Sequence, residues 1–158
     1  MERNILFAIF RKALIVKIEF KMYKPSIKLI SELKEIAEEK KCKIIFSKRE
    51  NDDDGSADYT IKNKTICIYL KNIHGRCHFI NAFFHELGHH HCAVNNLWVS
   101  FHFFNKNLKY TWLKAEKWVD KWASKEMKKY YPKVNYFYLY SDIESIEWAR
   151  NYYKRIKI

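Results

Sequence analysis

The sequence lacks the usual marks of a secreted, membrane-spanning or modular protein. Its four cysteines, Cys42, Cys67, Cys77 and Cys92, form no Cys-x-x-Cys pair. With no secretory pattern beside them, they predict reduced thiols and a cytoplasmic protein rather than a disulfide framework. Long apolar runs are missing too. The stretch Asn4-Ile-Leu-Phe-Ala-Ile-Phe10 is interrupted by Arg11 and Lys12 before Ala13-Leu-Ile-Val16. That is too short for a bilayer, and no small-residue cleavage site follows, so it reads as a core or docking segment and no membrane association is expected. Only three glycines and two prolines occur, and no low-complexity segment or internal repeat divides the 158 residues. A single domain over 1–158 is the simplest organisation, and 48% hydrophobic content is enough to build a sizeable core.

Acidic residues are also scarce, 18 against 30 Lys and Arg, which leaves a net charge of +12. Such an excess attracts polyanions. Yet Lys dominates, and it is spread along the chain and interleaved with Glu, as in Lys28-Leu-Ile-Ser-Glu-Leu-Lys-Glu-Ile-Ala-Glu-Glu-Lys-Lys41. No helix-turn-helix or finger pattern is visible, so a solvated surface is the expectation and direct nucleic-acid binding the lesser one.

What the chain does carry is His85-Glu-Leu-Gly-His89. On a helix, residues four apart share a face, so two imidazoles can converge on one ion with a carboxylate beside them. Phe79, Ile80, Phe83, Phe84 and Leu87 surround the motif at three- and four-residue intervals, the pattern of a helix that buries one stripe. Gly88 costs a helix interior about 1 kcal/mol relative to Ala, which points to a second element approaching closely there.

A zinc site that does chemistry keeps three protein ligands and one open position. The best third ligand is Glu116, on a second amphipathic helix over 112–127 marked by Trp112, Ala115, Val119, Trp122, Ala123 and Met127. Asp120 follows four residues later on the same face, where it can accept the second ring N–H of His85 or His89 and fix its tautomer. Cys92 falls on roughly the His85–His89 face, but a small buried core residue is the favoured reading. His90 and His91 point away and are read as packing or solvent-facing. A closed structural site would need Cys92 or His102 as fourth ligand, and no spacing supports that.

Two stretches resemble the ImmA/IrrE family of zinc metallopeptidase domains found with bacterial regulators and mobile elements. Arg76-Cys-His-Phe-Ile-Asn-Ala-Phe-Phe-His-Glu-Leu-Gly-His89 is similar to the family's Arg-x-x-Phe followed by His-Glu-Leu-Gly-His. Glu116-Lys-Trp-Val-Asp-Lys-Trp-Ala123 is similar to its Glu-x-x-Ala-Asp/Asn-x-Phe-Ala, with Val119 and Trp122 in place of Ala and Phe. The resemblance covers about residues 25–132. It implies a zincin-like α+β domain of the gluzincin type, with His85, His89 and Glu116 as zinc ligands, Glu86 as catalytic base and Asp120 as the partner of a ligand histidine. It also implies hydrolysis of a peptide bond in a specific regulatory protein, such as a helix-turn-helix repressor of a mobile element or stress response. Two alternatives belong to other classes: a non-hydrolytic zinc-binding regulator or scaffold, and a DNA-associated protease of the SprT type. An intact Glu86 weighs against the first, and the Glu116/Asp120 pair against the second. The oxyanion of peptide hydrolysis needs a further donor. His102, Tyr110 and Tyr59 are all available, and spacing does not choose among them.

The remaining pattern predicts a helix from Ser26 to about Lys40 with Ile27, Ile30, Leu33, Ile36 and Ala37 inward. Strands are expected at 43–47, 57–61 and 65–70, the last two joined through Lys62-Asn-Lys64 as a hairpin. The polar loop Asn51-Asp-Asp-Asp-Gly-Ser56 lacks the spacing of a calcium loop and reads as a plain turn. Pro132 stops the second zinc helix, Tyr136-Phe-Tyr-Leu-Tyr140 reads as strand or lid with its aromatics mostly core, and Ser141-Asp-Ile-Glu144 caps a last helix to about 155. An extended substrate could pair along the edge of this small antiparallel or mixed sheet.

Overall fold

The computed structural model describes residues 22–49, 55–97 and 108–136, with side chains from 114 onward in the last segment. The N-terminal apolar run, loop residues 51–54, His102, the side chain of Tyr110 and the capping box at 141–144 lie outside the described residues.

Ser26 sits in extended backbone and its hydroxyl accepts the Leu29 N–H at 3.2 Å, satisfying one of the orphan donors of a helix start. Helix α1 then runs over Ile27–Glu39. Its buried stripe is Leu29, Leu33, Ile36 and Ala37, while Ile27 is 87% exposed. The expected stripe is thus corrected at its first turn: at about 100° per residue, Ile27 lies roughly 135° round from the centre of the buried face.

Strand β1 follows at Lys43–Ser47 and β2 at Ala57–Thr60. A single 3-10 turn over Ile61–Asn63, closed by Lys64 at the left-handed φ of 52°, reverses the chain into β3, Thr65–Tyr69. The sheet order is β1-β3-β2. β3 lies parallel to β1, with Ile44 opposite Ile66 and Phe46 opposite Ile68, and antiparallel to β2, with Tyr59 opposite Ile66 and Ala57 opposite Ile68. The fold is α+β around a small mixed sheet. Because side chains alternate across a strand, this register sets Ile44, Phe46, Ala57, Tyr59, Ile66 and Ile68 on one face. That face meets Leu33 and Ile36 of α1 and Phe79, Ile80 and Phe83 of the next helix in one core.

Helix α2, Arg76–Val94, packs against both β2 and β3 and, on its other side, against α3, Leu108–Tyr130. Every residue from Phe79 to Gly88 is buried. The single apolar stripe expected for α2 is therefore only half of its buried surface: the phenylalanines meet the core, and the face carrying His85 meets α3. A helix covered nearly all round is a central helix. Helix α3 ends at Tyr130, before Tyr131-Pro132, since the residue preceding proline avoids helical backbone. Tyr130 and Tyr131 donate hydroxyl bonds back to Glu39 and Glu32 of α1. No helix among the described residues is long and apolar enough to cross a membrane.

The helices touch at Gly88. A Cβ built there would lie 2.8 Å from Val119 Cγ1 and 3.2 Å from the Val119 carbonyl oxygen. Both neighbours belong to a stiff, fully buried residue, so a methyl group at 88 must push the helices apart. Gly88→Ala is expected to lower thermal stability, since overpacking of about 1–3 kcal/mol outweighs about 1 kcal/mol of helix propensity. Adding Val119→Ala removes the nearer contact, and the double variant should be more stable than the two single losses predict. Additive losses in thermal denaturation would contradict this account of the crossing.

Candidate metal centre

The crossing at Gly88 puts the preceding turn of α3, with Glu116, over the imidazoles of His85 and His89 on α2. His85 Nε2 and His89 Nε2 are 3.1 Å apart, and Glu116 Oε2 lies 3.2 Å from the first and 3.3 Å from the second. Three ligands held about 2.0–2.1 Å from a common centre at tetrahedral angles would be about 3.3 Å apart. The triangle therefore has the dimensions of a metal face. Its chemistry agrees: Glu116 is buried, and its Oε2 accepts no hydrogen bond. A buried carboxylate oxygen without a donor is costly unless a cation faces it. These three residues form a buried group that could hold a metal ion.

The tautomer of His85 is set from behind. Its Nδ1 donates to Asp120 Oδ1 at 3.0 Å, which leaves the Nε2 lone pair directed at the triangle. Of the two ligand histidines that Asp120 was expected to serve, the structure selects His85. A second donor to the same oxygen was not foreseen: Tyr136 OH donates to Asp120 Oδ1 at 2.8 Å and lies 3.4 Å from His85 Nδ1. Tyr136 reaches this spot because the amide of buried Asn81 donates to the Asn135 carbonyl at 3.1 Å and to the Cys77 carbonyl at 2.8 Å, pinning the chain beyond α3 to α2. Sequence reading placed Tyr136 among core or lid aromatics. Its hydroxyl role depends on a turn after Pro132 that no periodicity encodes.

Burial shapes the ionisable groups. Desolvation raises the pKa of Glu86 above the ordinary carboxylate range, opposed in part by His89 and His85. For His85 desolvation disfavours the proton, yet the hydrogen bond to Asp120 and the facing carboxylate of Glu116 prevail and push its pKa up to about 10. Glu116 is drawn the opposite way, desolvation raising its pKa but the two imidazoles holding it down at about 2. Without a metal, then, the site retains a proton on His85 as its counter-charge.

The neighbouring residues have other duties. His90 Nε2 donates to the Lys40 carbonyl at 2.9 Å, so its Nδ1 accepts the Tyr59 hydroxyl at 2.9 Å. That commits Tyr59, one of the candidate oxyanion donors, to bracing β2 against the end of α1. His91 stacks on Trp122 and Trp118 of α3, at centroid distances of 4.6 and 5.9 Å. Cys92 is fully buried, and desolvation pushes its thiol up to about 12, so it packs as a core residue outside the triangle. All four cysteines are free thiols.

The chain matches no protein-family model, no curated protein and no solved structure.

His85→Ala and Glu116→Ala should each lose most bound metal in elemental analysis of the purified protein, while Glu86→Gln keeps it; a Glu116→Ala variant that binds metal as well as the parent would remove the third ligand. Asp120→Ala should weaken metal affinity about 10–100-fold, and Asp120→Asn less, since an amide oxygen still accepts from His85.

The pH dependence has a definite sign. In metal-free protein the His85 proton stabilises the fold fully below the ordinary His pKa of about 6.5, and that contribution is lost as pH rises through about 10. A metal must displace this proton, so it gains on the apo state as pH rises. The increase in Tm on adding zinc to chelated protein should be larger at about pH 8.5 than at about pH 6. An increase that is equal at both would mean that no His85 proton is displaced.

Proposed function

We infer that His85, His89 and Glu116 hold a zinc ion and that the protein is a zinc metallopeptidase with a zincin-like fold, of the ImmA/IrrE kind. Its substrate on this reading is a specific regulatory protein in the cytoplasm, a helix-turn-helix repressor being the expected type. The observation that carries the reading is the 3.1–3.3 Å triangle of two imidazole nitrogens and a carboxylate oxygen, with a buried carboxylate on the residue next to a ligand. Two neutral imidazoles and one carboxylate suit zinc, whereas calcium and magnesium favour all-oxygen shells. When bound, zinc supplies Lewis acidity and brings the pKa of water toward 7.

The chain's own groups divide the remaining work. Asp120 and Tyr136 keep His85 in one orientation and one tautomer. Glu86, its pKa raised by burial, is suited to take the proton of an attacking water and hand it to the leaving amine, because a base works best near the operating pH. Among the described residues Glu86 makes no hydrogen bond or ion pair that would account for a carboxylate at that place, which favours hydrolysis over a passive zinc-bound scaffold.

Glu86→Gln preserves shape and hydrogen bonding while removing the base. N-terminal profiling of proteins from cells expressing the full chain should reveal one or a few new termini that are missing with Glu86→Gln. The same set of termini with both would sink the role of Glu86. A biological effect retained in full by Glu86→Gln would favour the non-hydrolytic regulator.

A further inference from the structure

The charge of +12 is not distributed alike on the helices. On α1 the signs alternate, with Lys28 and Lys34 set among Glu32, Glu35, Glu38 and Glu39. On α3 they separate by face. Its three acids, Glu116, Asp120 and Glu126, are all buried. Lys117, Lys121, Lys125 and Lys128 are all exposed, and the ion pairs among the described residues leave these four out.

At about 100° and 1.5 Å per residue, the four ammonium groups lie within an arc of about 80° along about 17 Å of helix, and exposed Lys114 extends the same line. Like charges four residues apart, as at 117, 121 and 125, destabilise a helix. Lys117, Lys121, Lys125 and Lys128 thus carry repulsion that no ion pair with a carboxylate of their own helix relieves.

A polyanion relieves it. Duplex DNA offers one negative charge per about 1.7 Å of axis, about ten over the length of the stripe. A lipid surface fits less well, because helices that lie in membranes insert apolar side chains beside their lysines. Among the described side chains the exposed large hydrophobics are Ile27, Ile45, Ile61 and Val94, none of them on α3 from residue 114 onward, and Trp118 and Trp122 are occupied in stacking on His91. The core of a protein interface would likewise call for apolar or aromatic anchors.

We propose that this face of α3 is a sequence-independent nucleic-acid-binding surface that follows the phosphate backbone of duplex DNA. Lysine contacts to phosphate position a protein on the duplex without reading bases. Glu116 lies about 140° round the helix from the stripe, so DNA and the metal centre occupy opposite sides of α3. The proposal does not depend on the zinc reading and survives its failure.

Fluorescence anisotropy with a labelled random-sequence 20-base-pair duplex tests it on the full chain. Binding should weaken about 100-fold between about 50 and 200 mM salt, the dependence for about four phosphate contacts. Neutralising the stripe in Lys117→Gln/Lys121→Gln/Lys125→Gln/Lys128→Gln should weaken binding at least about 10-fold and flatten the log–log salt slope by about 0.9 per lysine. The control variant Lys28→Gln/Lys34→Gln/Lys62→Gln/Lys133→Gln removes the same charge from exposed positions elsewhere and should change affinity less than about 3-fold. Thermal denaturation of both variants verifies that they are folded. Equal losses in the two would show that net charge and not the stripe governs binding, and overturn the proposal, as would a parent that fails to bind DNA at about 50 mM salt. Tighter binding to phosphatidylserine vesicles than to DNA, lost in the stripe variant, would assign the face to a lipid surface and overturn it as well.

Discussion

The contact of Gly88 with Val119 is the constraint on which the centre depends. The three facing atoms are 3.1–3.3 Å apart, and two of them belong to α2 and one to α3. Distances within one helix are set by its backbone, but the distance between helices is set by whatever stands at the crossing. Here it is a hydrogen atom against an isopropyl group, with the carbonyl of Val119 just behind. Gly88 lies one residue before His89, and Val119 one turn after Glu116 and one residue before Asp120. The position of closest approach is therefore almost the position of the site, and any widening of the crossing separates the carboxylates from the imidazoles directly.

A second consequence is the arrangement of charge. Glu116 and Asp120 are buried at 4% and 1% exposure within a few ångströms of each other's histidine partner. Two carboxylates in a low-dielectric interior demand positive charge at close range, either a proton on His85 or a metal ion. The helix that provides them turns all its acids inward and presents lysine outward. The same segregation that builds an electronegative pocket inside leaves an electropositive ridge outside, so the two features have a single origin in the amphipathic pattern of α3.

Much of this was legible in the sequence, and what was not has a physical reason. The α+β class, the hairpin through Lys62-Asn-Lys64, the helix beginning near Ser26 and the close approach at Gly88 each follow from a local rule. Local rules leave a local mark. His85, His89, Glu116 and Asp120 could be grouped because each pair shares a helix face, and periodicity conveys faces. Two readings went astray where the deciding contact is distant. Ile27 looked like the first residue of an apolar stripe, but the face the rest of the fold covers is centred on Leu29, Leu33, Ile36 and Ala37 and turns Ile27 to solvent. Tyr136 looked like one aromatic among several, but an amide at Asn81 and a turn after Pro132 deliver its hydroxyl to Asp120. The double bracing of His90 was likewise invisible, since its partners, the Lys40 carbonyl and Tyr59, come from other parts of the chain.

The tether from Asn81 to the chain beyond α3 has a bearing on biosynthesis. A chain made from its N-terminus presents both imidazoles of α2 first, then Glu116 and Asp120, and only after residue 136 the hydroxyl that completes the support of Asp120. The finished geometry therefore requires the chain through residue 136, well beyond the last of the three facing side chains.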